Sequence, residues 1–246
     1  MPIAIAAGNR KFANIAAIIF DKDGTLEDSL AFWRSVGLER ARIIDARVPG
    51  VGEPLMMSFG ISNDTIDSQG LLAVGSHREN EIAAAAYIAE TGKSWYEARQ
   101  IARSAFAEVS ASKYLVKTAK SAPLFTDAKK ILESLFNAGV KIGILSADST
   151  AGVQNFVANH QLQDLIHLCL GIDNAIAKPD PQLFIKICTE LEVLPEQALM
   201  VGDTSVDMVM AKRAKAAGTI GICREQNIQL ESADVQIGSL SEIQAL

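Results

Sequence analysis

Short apolar runs alternate with amphipathic stretches through much of the chain, and this alternation predicts its core. The apolar run 15–20, bounded by polar residues, is typical of a strand buried on both faces. Further strands are predicted at 141–145, 168–170, 198–201 and 219–222. Helices are predicted at 126–138, 150–159, 181–192 and 206–217. This β-α-β-α order favours an α/β fold in which a doubly wound parallel sheet carries helices on both faces.

The segment between about residues 30 and 120 has a different pattern of apolar and polar positions. Helical patterns over 30–47, 80–90 and 95–114 are accompanied by no convincing buried strand. We therefore predict a helical domain inserted into the α/β core. Residues 1–28 and 122–246 are assigned to the core, and 29–121 to the insertion.

Composition narrows the classes of function. With 23 Lys and Arg against 29 Asp and Glu, the net charge of −6 is a poor match for nucleic acid. No apolar run approaches the roughly 18–20 residues that span a bilayer, and the N-terminal ten residues lack the basic-then-apolar order of a secretory signal. Three cysteines without a CxxC pair indicate reduced thiols. We expect a cytoplasmic protein that binds neither nucleic acid nor membranes.

Polar residues follow the predicted strands at the edge where a parallel sheet binds its ligands. Asp21 and Asp23 leave the first strand two residues apart. Ser146 follows strand 141–145, and its hydroxyl could hold an anion together with the backbone N–H of Ala147. Ordinary structural interpretations exist for both: an Asp-Gly turn for the first pair, and a helix N-cap region for the second.

Two more such features follow along the chain. Lys178 precedes a predicted helix start, where the helix dipole disfavours a cation, so a bound anion would explain it; a solvated surface lysine is the alternative. Asp203 and Asp207 straddle a strand end and a helix start and could bind a hard cation such as Mg²⁺; N-capping by Asp203 or Thr204 is the alternative. Four features in this order rarely coincide by chance, so we predict one shared site.

The sequence resembles the haloacid dehalogenase superfamily, a large group of aspartate-nucleophile phosphatases, over nearly its whole length. The matching motifs are DxDGT at 21–25, Ser146, Lys178 with Pro179, and GDxxxD with Asp203 and Asp207. The resemblance implies a Rossmann-like core. The long interval after the first motif implies a helical cap like that of phosphoglycolate phosphatase and β-phosphoglucomutase. The sequence departs from this pattern at Lys22, where such capped relatives usually carry an apolar residue.

The resemblance also implies roles. Asp21 would be the nucleophile that forms an aspartyl-phosphate, and Asp23 the general acid and then the general base. Ser146 and Lys178 would neutralise the transferring oxygens. The residues expected to bind substrate are Thr25, Ser146, Ala147 and Lys178. The Mg²⁺ ligands expected are Asp21, Asp23 through its carbonyl, Asp203, and Asp207 directly or through water.

The favoured function is hydrolysis of a small phosphorylated metabolite. One alternative is a phosphosugar mutase, because the segment 75–79 loosely resembles the specificity loop of β-phosphoglucomutase; a polar helix start at 78–81 is the other interpretation. A dehalogenase is disfavoured by the second carboxylate, Asp23. A non-catalytic binding protein is disfavoured because a retired site need not keep these charges together. Specificity is expected in the cap, whose polar candidates are Arg34, Arg42, His77 and Arg78.

Overall fold

The computed structural model describes residues 2–62, 65–67, 70–173, 176–224 and 229–246. The chain divides into two compact units, a core of Met1–Asp28 with Pro123–Leu246 and an inserted unit of Ser29–Ala122. The described strands are β1 (Ile3–Ala7), β2 (Arg10–Ile15), β3 (Ala17–Phe20), β4 (Ile61–Ser62), β5 (Thr65–Ile66), β6 (Lys141–Leu145), β7 (Leu168–Leu170), β8 (Ala198–Gly202), β9 (Gly218–Ile222), β10 (Val235–Ile237) and β11 (Ile243–Ala245).

The described α-helices are α1 (Leu30–Arg47), α2 (Gly52–Ser58), α3 (Leu71–Val74), α4 (His77–Glu90), α5 (Trp95–Ser110), α6 (Ala128–Asn137), α7 (Thr150–Asn159), α8 (Pro181–Glu190) and α9 (Ser205–Arg213). Short 3-10 turns lie at Pro195–Gln197 and Leu240–Glu242. Among the helices of the described ranges, none combines the length and apolar character needed to cross a bilayer.

A six-stranded parallel sheet is the centre of the core, with strand order β10-β9-β8-β3-β6-β7. Strand β3 is buried on both faces, as predicted. Ile18 and Phe20 belong to one apolar cluster, while Ala17 and Ile19 belong to another. The chain runs from β3 to β6 on one side and later returns to β8 on the other. The strand order therefore reverses at β3, and the carboxyl end of β3 is where such a sheet binds ligands.

The N-terminal prediction was wrong in one respect. The run 15–20 is not a single strand, because β2 ends at Ile15 and β3 begins at Ala17. Between them, the Ala16 N–H donates to Gln197 O at 2.8 Å. Strands β1 and β2 form a hairpin that turns at Gly8, with φ of 53°. This hairpin pairs with β11 in a separate antiparallel sheet.

The inserted unit packs helices around its own apolar cluster, which includes Ile88 and Phe106. Helix α4 begins earlier than predicted because Ser76 and Glu79 form a reciprocal capping box. Helix α5 ends at Ser110 rather than near Tyr114, whose side chain is exposed. The unit also contains the two-stranded pair β4–β5, where no strand had been predicted.

The two chain segments that border the insertion are paired within the core unit. The Asp28 N–H donates to Pro123 O at 2.8 Å, and the Phe125 N–H donates to Leu26 O at 3.0 Å. Glu27 and Leu124 form an antiparallel bridge between them. The chain therefore leaves the core and returns to it at neighbouring backbone positions.

Candidate active site

A buried lysine joins two carboxylates at the carboxyl end of the sheet. Asp21 follows β3, and its N–H donates to Val201 O in β8 at 2.8 Å, one residue beyond the strand. The Nζ of Lys178 donates to Asp21 Oδ1 at 2.6 Å and to Asp207 Oδ1 at 2.7 Å. All three side chains are almost fully buried. Lys178 is thus a member of the cluster rather than a solvated surface residue.

The carboxylates of Asp203 and Asp207 each lie against the backbone of a glycine. Thr25 Oγ1 donates to Asp203 Oδ1 at 3.3 Å. Gly24 has φ of 74°, and a Cβ there would overlap the Asp203 carboxylate. A Cβ at Gly202 would lie 2.6 Å from Asp207 Oδ2. The absence of a side chain at both glycines therefore allows these carboxylates to approach the backbone.

Thr204 occupies the N-cap position of α9, but its hydroxyl does not cap the helix. It donates instead to Asp207 Oδ2 at 2.6 Å. Asp207 therefore accepts bonds on both oxygens, from Thr204 and from Lys178. Its orientation is fixed by these two contacts.

The carboxylates present a set of ligands suited to a hard cation. One oxygen from each of Asp21, Asp203 and Asp207 lies within 4.8 Å of the others. Burial raises the pKa of Asp21 to about 7, with Lys178 opposing the shift and Asp207 adding to it. Burial and the charges of Asp21 and Asp207 also hold the pKa of Asp203 well above its ordinary value. A divalent cation would relieve this repulsion, and oxygen donors suit Mg²⁺. The residues present therefore fit the ion.

Ser146 leaves the sheet at the same edge as Asp21, because β6 pairs in parallel with β3 and Phe20 is opposite Ile144. It is buried, and its hydroxyl accepts the Asp148 N–H at 3.2 Å. The N-cap of α7 is Ser149, not Ser146. Ala147 follows Ser146 in the same loop and is partly buried.

Asp23 lies against a residue that sequence reasoning had set aside. Its Oδ2 is 2.8 Å from Nζ of Lys22, which is fully buried. Burial alone would lower the pKa of Lys22, but the carboxylates of Asp23, Asp148 and Glu27 outweigh it and raise that pKa. From the sequence, Lys22 stands out only as a departure from the family pattern. The structure instead places it in direct contact with Asp23.

Comparison with known proteins agrees with this geometry. A model of haloacid dehalogenase-like hydrolases matches residues 15–215. The chain belongs to the haloacid dehalogenase-like hydrolases. This hydrolase is 28% identical to phosphoglycolate phosphatase of Yersinia pestis over 218 residues, which are 86% of this chain and 82% of the relative. It is 30% identical to (S)-2-haloacid dehalogenase 4A of Burkholderia cepacia over 133 residues, 52% of this chain and 57% of the relative.

Solved structures show the same fold. The crystal structure of a haloacid dehalogenase phosphatase from Thermococcus onnurineus superposes with a TM-score of 0.59 at 22% identity. The match covers 93% of this hydrolase and 95% of that chain. At this identity the likeness shows the shared architecture.

Arg224 is a second residue of the hydrolase that sequence reasoning missed. Its guanidinium donates to the Thr25 carbonyl at 2.8 Å and forms a two-pronged pair with Asp127 at 3.1 and 3.2 Å. It also lies over the Phe125 ring, 3.5 Å from its centroid. Arg224 thereby ties the loop that carries Thr25 to the start of α6.

Two of the four polar candidates of the inserted unit, Arg42 and His77, have contacts within that unit. Arg42 pairs with Glu39 of the same helix on the surface. His77 is 3.4 Å from Arg40, a buried arginine that was not among the candidates and that lies over the Phe106 ring. His77 is also the first residue of α4, so the capping box next to it accounts for the polar segment 75–79 as a helix start.

Proposed function

We propose that this hydrolase is a Mg²⁺-dependent phosphatase that cleaves a small phosphomonoester through an aspartyl-phosphate. The observation that carries the proposal is the buried contact of Asp21 with Lys178 beside Asp203 and Asp207. Asp21 lies at the end of the central strand, beside the Lys178 ammonium and beside carboxylates that could bind a metal cation. This arrangement suits attack of the Asp21 carboxylate on a phosphate. The similarity to the phosphatase of Yersinia pestis supports it.

In the first step, a carboxylate oxygen of Asp21 would attack phosphorus, and the bond from phosphorus to the ester oxygen would break. Mg²⁺ held by Asp21, Asp203, Asp207 and the Asp23 carbonyl would screen the repulsion between carboxylate and phosphate dianion. Lys178 would neutralise a transferring oxygen from the same side as the nucleophile. Its two carboxylate contacts keep its ammonium in place before substrate arrives.

Asp23 would move the protons. As an acid it would protonate the departing oxygen, and as a base it would take a proton from the water that attacks the aspartyl-phosphate. The side chain of Asp23 is 27% exposed, so it can reach both substrate and water. The Ser146 hydroxyl and the Ala147 N–H would bind the remaining phosphate oxygens. These contacts also give the hydrolase its expected partner, a small phosphorylated metabolite. Thr25, which was expected to bind substrate, is fully buried and donates to Asp203, so it would hold that carboxylate instead.

Two related activities are less well supported. The mutase alternative depended on the segment 75–79, which the Ser76–Glu79 capping box explains as a helix start. The dehalogenase alternative has a relative in Burkholderia cepacia, but a dehalogenase has no use for the second carboxylate, Asp23. Both alternatives are outcomes of the test below.

The test is a panel of phosphorylated metabolites, a phosphosugar pair and a 2-haloacid, each assayed with Mg²⁺ and with excess chelator. We expect phosphate release that requires Mg²⁺, and no halide release. Asp21→Asn keeps the shape of the side chain but removes the nucleophile, so hydrolysis should fall to background. Asp234→Asn, which changes an aspartate bonded to Thr219, is the matched control and should retain activity. Full activity in excess chelator, or in Asp21→Asn, would contradict the proposal.

A further inference from the structure

Lys22 lies between the two aspartates of the first motif, and its side chain is fully buried. Its Nζ is 2.8 Å from Asp23 Oδ2, 3.1 Å from Asp148 Oδ2 and 3.9 Å from Glu27 Oε2. An ammonium is costly to bury unless it is paired, and it has three N–H donors to place. Three surrounding carboxylates offset that cost and determine where the ammonium lies.

Two of these carboxylates are anchored by other elements. Asp148 Oδ1 accepts the Ser149 N–H at 2.7 Å, and the Asp148 N–H donates to Ser146 Oγ at 3.2 Å. Glu27 is buried, and its Oε1 is 3.2 Å from Nε2 of His160 at the end of α7. The ammonium therefore contacts the loop after β6 through Asp148, and Glu27 lies between it and His160, so two of its carboxylates are held independently of Asp23.

The backbone at this point is fixed as well. The Lys22 carbonyl accepts the N–H groups of Leu26 and Glu27, at 2.9 and 3.0 Å. The short Asp23 side chain is partly exposed and can rotate about its own bonds. A contact of 2.8 Å to an anchored ammonium restricts that rotation. An apolar side chain at position 22 would fill the same space without binding the carboxylate.

We propose that Lys22 is a positioning residue that holds the Asp23 carboxylate in one orientation for proton transfer. The inference rests on the proposed phosphatase function, in which Asp23 is the acid and base. Because a misplacement of about 1 Å can cost about 10²-fold in rate, the anchor is worth a large part of what Asp23 contributes. Lys22 also links the loop of Asp23 to the loop of Ser146 through Asp148.

The test compares two substrates that differ in their need for an acid. Ethyl phosphate has a poor leaving group and needs protonation, whereas nitrophenolate leaves 4-nitrophenyl phosphate without it. In Lys22→Met, kcat/KM for ethyl phosphate should fall about 10- to 100-fold. The burst of nitrophenol that reports the first step should change far less. Asp23→Asn sets the upper limit, with a loss of about 10²- to 10⁴-fold on ethyl phosphate and a preserved burst.

Two further variants protect this comparison. Lys22→Met leaves buried carboxylates without their cation and can impair folding. Lys22→Met/Glu27→Gln removes one charge of each sign, restores the native charge balance of the cluster, and should show the same split between substrates. Lys141→Met is the control: it removes a half-buried lysine that donates to Leu191 O at 2.6 Å at the opposite end of β6. Lys141→Met should change the rates on the two substrates by the same factor or leave both unchanged.

Equal losses on the two substrates in both Lys22 variants, or no loss, would overturn the proposal. A second readout does not depend on activity: crystal structures of the wild type and of Lys22→Met/Glu27→Gln. We expect the Asp23 carboxylate to rotate or to occupy several conformations in the variant. An unchanged Asp23 orientation would also overturn the positioning role. If the wild type hydrolyses neither substrate, an alkyl phosphate that the metabolite panel identifies replaces ethyl phosphate in the comparison. If the panel identifies none, the phosphatase proposal fails, and the orientation of Asp23 alone decides the role of Lys22.

Discussion

A proton and the proposed Mg²⁺ would compete for the same oxygens of Asp21. Burial, opposed by Lys178 and assisted by Asp207, raises the pKa of this carboxyl from 3.8 to about 7 in the metal-free protein. The pKa of Asp203 is raised as well, by burial and by the charges of Asp21 and Asp207. Metal ligands must lose their protons before they bind, so affinity for Mg²⁺ depends on pH. At the scale of single residues, the proposed Mg²⁺ site would therefore bind its ion more tightly as pH rises.

This competition predicts how stability varies with pH. In the metal-free protein, the folded Asp21 holds its proton up to about pH 7, whereas the unfolded chain loses it near 3.8. The folded state binds more protons in this window, so the free energy of unfolding falls as pH rises through it. Mg²⁺ stabilises only the deprotonated folded site. The increase in Tm caused by Mg²⁺ should therefore be larger at pH 8 than at pH 5, measured against chelator at each pH. Equal increases would contradict the shifted pKa.

The predicted cluster could be found from the sequence because its members lie in the segments that follow strands: Asp21 directly after β3, Asp203 directly after β8, and Lys178 between β7 and α8. Asp21 and Lys178 come together because parallel strands end at one edge, and that rule is local. Lys22 and Arg224 could not be assigned in this way. Lys22 bonds to Asp148, 126 positions away, and Arg224 bonds to the Thr25 carbonyl, 199 positions away. No spacing rule connects such pairs, so only the folded chain reveals them.

At the scale of elements, the turn after β3 sets the distance between two loops. Gly24 has φ of 74°, and any Cβ there would meet the Asp203 carboxylate. Gly24→Ala should therefore displace Asp203 and weaken Mg²⁺ binding by about 10-fold or more, since a lost ligand geometry typically costs 10- to 100-fold. Isothermal titration with Mg²⁺ measures this loss.

The chain offers a matched control for the backbone strain in that variant. Gly139 has φ of 78°, but a Cβ there would have no neighbour within 4 Å. Gly139→Ala should cost about 1 kcal/mol of stability, as alanine does in a left-handed conformation, and leave Mg²⁺ affinity unchanged. Equal loss of affinity in the two variants would mean that strain, not the overlap with Asp203, is responsible.

The elements that sequence reasoning placed correctly are those with a local signal. The strand at Ala17–Phe20 is a continuous apolar run, and Pro181 begins α8 directly after the N-cap Asp180. The N-terminal hairpin lacked such a signal, because Ile3–Ala7 alternates isoleucine with alanine and is short. It is stabilised by pairing with Ile243–Ala245 at the other end of the chain. That partner lies too far along the sequence for periodicity to indicate it.

For the whole molecule, the two units have separate apolar cores. Leu132 is fully buried in the core unit, and Ile88 is fully buried in the inserted unit. Leu132→Ala and Ile88→Ala should each destabilise their own unit by about 2–5 kcal/mol. Native-state hydrogen exchange should show lost protection in residues of the substituted unit, with the other unit nearly unchanged. Equal loss of protection in both units, from either substitution, would show a single cooperative structure.

The pairing of residues 26–28 with 123–125 has a consequence for what the core can accept. Relative to the core sheet, the inserted residues Ser29–Ala122 form one long loop, and the chain segments at its two ends are hydrogen-bonded to each other within the core. The entropy of closing a loop rises only with the logarithm of its length, about 0.6 kcal/mol for each doubling. The junction of residues 26–28 with 123–125 therefore closes the core independently of the inserted residues. An insertion of another size or sequence can be carried there without disturbing the strands that present Asp21 and Asp203.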